Sequence, residues 1–239
     1  ARRRIRGRVP VPAAVTAPAS ATPAATGLVS SNVRTLFPGY FAMVMATGII
    51  AIGAAQQDLA WLAEALYLVA AGAYAVLAVL LVWRLAIAPA LVAADITSHA
   101  KGFAFLTTVA ATNVLGSASA VVHGWWTLAW VLWWISLALW LVCLYSTLFA
   151  VVLKGPKPDL GHGINGTWFL LTVATESVVV LGALLLSRHP GDLLAFVLLA
   201  AFFLGLVLYL IVMTMLFLRW TFLELDPTVI ITDTSLGPW

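Results

Sequence analysis

Apolar residues run along this chain in six long blocks, each closed by charge, proline or glycine: about 38–56, 60–83, 102–122, 127–153, 167–187 and 193–218. A bilayer core about 30 Å thick takes ~20 apolar residues per helix, and the blocks reach that length. They are too long and too rich in Ala and Leu for barrel strands of ~10 alternating residues. The predicted class is therefore an all-α integral membrane protein. The breaks are Gln56-Gln57-Asp58, Arg84 through Lys101, His123-Gly124, Lys154 through Asp159 and Arg188 through Asp192. Each is expected to be a turn that lipid could not hold.

The blocks are of two alternating kinds. The first, third and fifth carry Gly, Thr, Ser and Asn among the hydrophobics, whereas the second, fourth and sixth are almost wholly Leu, Val, Ala, Phe and Trp. Helices that face lipid can be greasy all round, while those lining a cavity or packing closely need small and polar positions. The odd blocks are thus expected inside and the even ones outside. Small and polar residues fall in stripes: Gly39, Ala42, Ala46 and Gly53; Thr108, Thr112, Gly116 and Ser119; Thr172, Thr175, Glu176 and Gly182 or Ala183. Steps of three, four and seven keep each set on one helix face. The odd blocks begin near Pro38, Gly102 and Gly166, at intervals of 64 residues, so the repeating unit is one hairpin. Parallel repeats of this kind suit a ring of hairpins around a central pore, although such stripes also serve plain helix packing.

Composition agrees with this reading. At 63% hydrophobic and 9% charged, the chain is neither a soluble domain nor a disordered one. Its formal charge of +3 does not indicate nucleic acid, because the basic residues follow the membrane. If the N-terminus is cytoplasmic, that side receives Arg2, Arg3, Arg4, Arg6, Arg8, Arg34, Arg84, Lys101, Lys154, Lys157 and Arg219, and the far side only Arg188. This split is the positive-inside pattern for six crossings. Residues 1–33 read as a disordered basic, then Ala/Pro-rich, cytoplasmic tail, with no apolar core of a cleaved signal peptide behind the arginines. The transmembrane domain is expected over 34–228, followed by an atypical tail at 229–239. The lone Cys143 sits in an apolar run and permits no intrachain disulfide.

The stretch FPGYFAMVMATGIIAIGA at 37–54 resembles the opening helix of the tellurite-resistance/dicarboxylate transporter family. That family includes bacterial tellurite-resistance channel homologues, the yeast malate permease and the plant slow anion channels. TWFLLTVATESVVVLGA at 167–183 resembles its fifth helix, and FLELDP at 222–227 the segment leading to its seventh. The resemblance covers roughly 34–228 and implies five hairpins around a pore, usually in a trimer. Six of an expected ten transmembrane helices are present, and VIITDTSLGPW follows Thr228 where a seventh is expected, which reads as C-terminal truncation or, alternatively, a natural six-helix subunit of a multichain pore. The family's pore-plugging phenylalanine lies in its ninth helix, so no gate residue is carried over.

Glu176 is the one ionisable residue well inside a block. A charged carboxylate at bilayer depth costs ~2.5–3.5 kcal/mol on insertion scales, and no Lys or Arg stands at matching depth, so a neutral acid is expected. It is either a proton site in an anion conduit or a structural hydrogen-bonding group. Hydroxyls of Thr47, Thr108, Thr112, Ser119 and Thr175, with Gly48 and Gly116 bringing helix backbone close, complete the candidate pore lining. His99, His123, His162 and His189 lack metal-ligand spacing, and no metal or cofactor is expected. Trp125 and Trp126 are expected in an interfacial belt, and Trp130, Trp133, Trp134 and Trp140 on an outer or subunit-contact surface. The leading expectation is a multi-pass plasma (inner) membrane channel or transporter for small anions, C4-dicarboxylates such as malate or oxyanions such as tellurite, and not an enzyme. The alternatives are a non-transporting remnant or assembly subunit, and an intramembrane enzyme using Glu176, for which a second catalytic group at depth is missing.

Overall fold

In a computed structural model, the residues described are 33–99, 101–153, 155 and 163–222. The tail 1–33 except Val33, the loop 154–159 except Gly155, His162, the FLELDP segment except Phe222, and the 229–239 tail lie outside them.

Among the described residues six helices, the odd ones taken with the 3-10 turns that lead into them, are long and apolar enough to cross a membrane: α1 (Phe41–Gln56), α2 (Ala60–Ile87), α3 (Leu106–His123), α4 (Trp126–Leu153), α5 (Leu170–Leu186) and α6 (Asp192–Phe222). No strand occurs among the described residues, so the chain is an all-α membrane protein. Each odd helix is entered through a short 3-10 turn, and these turns begin at Pro38, Gly102 and Gly166, in step with the repeat. They pack together at one end of the bundle. There the Thr107 hydroxyl donates to the Pro38 carbonyl at 2.8 Å, and the Phe103 and Trp168 rings lie 4.5 Å apart.

Each hairpin packs on itself, α1 with α2, α3 with α4 and α5 with α6, and the three hairpins join through their odd helices. α3 lies at the centre, with α1 on one side and α5 on the other. It is the most enclosed span, 83% buried, whereas the even spans are 17–28% buried and present Val, Leu and Phe outward. The odd helices thus form an inner arc with an outer layer behind it. The turn from α3 to α4 is tight because Gly124, at φ +70°, accepts the left-handed conformation that lets its N–H and that of Trp125 reach the Ala120 and Ser119 carbonyls.

Two expectations are corrected. The stretch from Arg84 to Lys101 is not simply a turn: α2 runs on to Ile87, and Pro89–Ile96 forms a linker helix that starts with proline at its first position. Nor does Arg84 stand in a turn, since it belongs to the last part of α2. It is 2% exposed, donating from Nε to the Arg34 carbonyl (3.0 Å), from Nη1 to the Leu36 carbonyl (2.9 Å) and from Nη2 to Asp95 (2.5 Å). Arg219 repeats the device in the third hairpin by donating to the Ile164 carbonyl. In both hairpins the carbonyl gripped lies two residues before the 3-10 turn.

Candidate functional site

The concave side of the arc holds a groove of about 360 Å³ that, among the described residues, is lined by the three inner helices. α1 contributes Met45, Ile49 and Ile52, and α3 contributes Ala110, Asn113, Val114 and Ser117. α5 contributes Thr172, Val173, Glu176, Ser177 and Val180. The lining follows from helix geometry: on α5, steps of three and four from Thr172 through Glu176 to Val180 stay on one face.

The polar centre of the groove is a chain of hydrogen bonds across three helices. Asn113 Nδ2 on α3 donates to Ser177 Oγ on α5 at 3.0 Å, while Ser136 on α4 donates to Asn113 Oδ1 at 2.5 Å. Ser177 also donates back to the Ala174 carbonyl at 2.7 Å. Asn113 and Ser136 are fully buried, and in a bilayer such groups are held only when they are paired. The Thr172 hydroxyl oxygen, also on the groove wall, has no hydrogen-bond partner among the described residues.

The sequence-derived candidates divide between this groove and the seams between helices. Glu176 lies in the groove, and among the described residues it is the only titratable group lining it. Thr112 and Ser119 turn toward α2, where they pair with the hydroxyls of Tyr74 (2.8 Å) and Tyr67 (3.0 Å). Thr108 is buried and donates to the Phe105 carbonyl at 2.6 Å. Thr175 faces α4, accepting from Trp140 Nε1 at 2.9 Å and donating to the Leu171 carbonyl at 2.7 Å. Thr47 donates to the Met43 carbonyl at 2.8 Å. Gly48 admits Val114 of α3, and Gly116 admits Leu181 of α5 and Leu132 of α4, at distances a side chain would violate. These glycines let the inner helices approach one another. The α1 stripe does not turn inward as a set, since Ala42 and Ala46 are exposed while Val44, Gly48 and Ala51 are buried.

Two tryptophans expected on the outer surface pack inward instead. Trp133 is 3% exposed and donates Nε1 to the Val178 carbonyl at 3.0 Å, and Trp140 bonds Thr175 as above. A buried indole N–H in lipid must find an acceptor, and α5 supplies both. Trp134 does face outward, and Trp125 sits at the α3–α4 turn with its ring stacked on His123 at 4.3 Å. Glu64 closes the same end, 3.4 Å from His123 Nε2. No cluster of metal-ligating side chains occurs among the described residues.

Asn113, Ser117 and Ser177 lie outside the small-and-polar stripes visible in the sequence. Asn113 had a signal, since an amide at bilayer depth is costly and stands 64 residues before Ser177.

With the groove in place, comparison with known proteins supplies its context. Residues 35–235 match the family described as voltage-dependent anion channel, and the chain belongs to that family. No curated protein and no solved structure matches it. The six apolar helices and the family together define a multi-pass membrane protein of the anion channel and transporter class, a class of conduits and not of enzymes.

Proposed function

We propose that the groove between α1, α3 and α5 is one wall of the anion pathway, and that small anions, among them C4-dicarboxylates such as malate or oxyanions such as tellurite, pass along it. The observation that carries this reading is the lining itself: neutral polar groups at Asn113, Ser117, Thr172 and Ser177, one carboxyl at Glu176 and, among the described residues, no cation. Conduction requires binding weak enough for release. Hydroxyl and amide donors satisfy that requirement, whereas a buried Lys or Arg would hold an anion too firmly. Helices beyond these six, from the same or another chain, complete the conduit, because α1 and α5 flank α3 and leave the groove open between them. A homo-oligomer, a trimer by the family resemblance, is part of the proposal.

Glu176 is proposed as a proton site that couples anion movement to a pH gradient. A plasma (inner) membrane location is part of the proposal, and the basic residues Arg34, Arg84, Lys101 and Arg219 favour an N-terminus on the cytoplasmic side.

Reconstitution into liposomes tests both parts. The protein is expected to release trapped malate or chloride faster than protein-free vesicles, and Ser117→Trp, which fills the groove, is expected to cut that release at least fivefold. Release unaffected by Ser117→Trp would remove the groove from the pathway. Glu176→Gln keeps the size and hydrogen bonding of the neutral acid but not its proton. Accumulation driven by a pH gradient should vanish in it while downhill exchange persists. Unaltered pH-driven accumulation would remove Glu176 from coupling and leave the pathway itself standing.

A further inference from the structure

α6 meets α5 through a seam of buried residues, Leu198, Gly205, Val212 and Leu216. Their spacing of seven and four keeps them on one helix face. Leu198 fills its place against Gly182 of α5. At Gly205 the seam has no side chain, and the space is taken by the Glu176 side chain from α5. A Cβ built on Gly205 would overlap Oε1 and fall 2.8 Å from Cδ and 3.2 Å from Cγ. The glycine therefore does more than let two backbones approach, because its vacancy is shaped around a carboxyl group. Among the described residues that carboxyl has no hydrogen bond or ion pair to hold it in place.

The same side chain also lines the groove, so it stands at the junction of groove and α6 with two places to go. The matching positions one and two repeats earlier are Thr112 and Gly48, neither a carboxyl. The third hairpin alone combines an acid on the inner helix with this notch in its outer partner. We propose that Gly205 is a positioning residue for Glu176: the notch it leaves in α6 seats the carboxyl and holds it at the edge of the groove, out of the line of passage. The functional half of this inference rests on the proposed anion pathway, while the seat itself does not.

Gly205→Ala puts a methyl group in the seat. The atoms it would strike are the far end of a flexible side chain, so the carboxyl swings away with the fold kept. The open direction is the groove. Two measurements on the reconstituted protein separate the seat from its role. The first is site-resolved mass spectrometry after labelling with a water-soluble carbodiimide, in which modification of Glu176 should rise severalfold in Gly205→Ala. The second is anion release, which should fall severalfold in Gly205→Ala. The ratio of release with and without Gly205→Ala should return to one in a Glu176→Ala background, where no carboxyl remains to be displaced. Labelling of Glu176 unchanged by Gly205→Ala in a folded protein would overturn the seat. Raised labelling with unchanged release would overturn the role. A wild type that releases no anion would sink the pathway reading, while the labelling still decides the seat. If Gly205→Ala alone fails to fold, the Glu176→Ala/Gly205→Ala double variant should fold, and failure of that rescue would equally overturn the proposal.

Discussion

Asn113 and Ser177 stand 64 residues apart, one full repeat, and they meet: Asn113 Nδ2 donates to Ser177 Oγ at 3.0 Å across the α3–α5 seam. The position one repeat earlier, Ile49, lines the same groove. Equivalent positions of successive hairpins therefore converge on one surface, as expected when parallel repeats share an axis along the membrane normal. Only the second and third members are polar, and they satisfy each other.

That pairing predicts an unusual order of mutational cost. Ser177→Ala leaves a buried Asn113 N–H without its acceptor, a loss of about 1–3 kcal/mol. Asn113→Leu removes donor and acceptor together, and Ser136 and Ser177 keep their bonds to the Trp133 and Ala174 carbonyls. Its cost should stay within about 1 kcal/mol. Thermal unfolding in detergent is expected to rank Ser177→Ala below Asn113→Leu, and anion release should fall in both. The reverse stability order would mean that the amide is not paired as described.

The glycines of the inner helices divide by what surrounds them. A Cβ on Gly116 would stand 2.6 Å from Leu181 Cδ2 and 3.4 Å from Leu132 Cβ, and one on Gly48 2.6 Å from Val114 Cγ1. Around Gly53 nothing lies within 4 Å. Gly116→Val and Gly48→Val should each lose about 1–3 kcal/mol through overpacking. Gly53→Ala should be neutral or gain a few tenths to about 1 kcal/mol, because it restricts the unfolded chain at no steric cost. Midpoints of thermal unfolding check the contrast, which disappears if α1 and α5 do not pack on α3.

Much of this architecture is legible in the residues, and the reason is the solvent. A bilayer forces whole blocks of about twenty residues to be apolar, so the spans announce themselves, and the 64-residue step from Pro38 to Gly102 to Gly166 survives as three 3-10 turns. The facing of α3 is not legible. Helices surround it on nearly every side, so Thr108, Thr112 and Ser119 satisfy packing and helix carbonyls as readily as they would a conduit. Periodicity gives a face and not the neighbour it meets. The linker helix was hidden for a similar reason, since Arg84 and Asp95 mark a loop by their charge until they are seen to pair.

Topology follows from the ends of the bundle. Lys101 is well exposed at the end where the 3-10 turns gather, and Gly191 lies exposed in the turn between α5 and α6 at the other. In a protein whose buried Cys143 has been replaced by alanine, a membrane-impermeant thiol reagent applied outside intact cells should modify Gly191→Cys and spare Lys101→Cys. Position 157 should be spared in the same way. Labelling at 101 and not at 191 would invert the orientation proposed from the charge split.

The sharpest stability prediction concerns Arg84, which ties the start of α1 and the linker helix to the end of α2. Three separate nitrogens of one guanidinium reach the Arg34 carbonyl, the Leu36 carbonyl and Asp95. A lysine has its donors on a single atom and cannot reproduce that spread. Arg84→Lys keeps the charge but leaves buried carbonyls unpaired, a loss of about 1–3 kcal/mol. Asp95→Asn strips the counter-charge from a cation that is only 2% exposed and should cost more, about 3 kcal/mol. Lys101, 3.7 Å from Asp95 and 46% exposed, forms only a surface pair, so Lys101→Ala should cost at most about 1 kcal/mol. Thermal unfolding midpoints are expected to fall in the order Asp95→Asn, Arg84→Lys, Lys101→Ala, with the largest loss first. Equal losses at Arg84 and Lys101 would show that net charge at this end matters and that the fitted guanidinium does not.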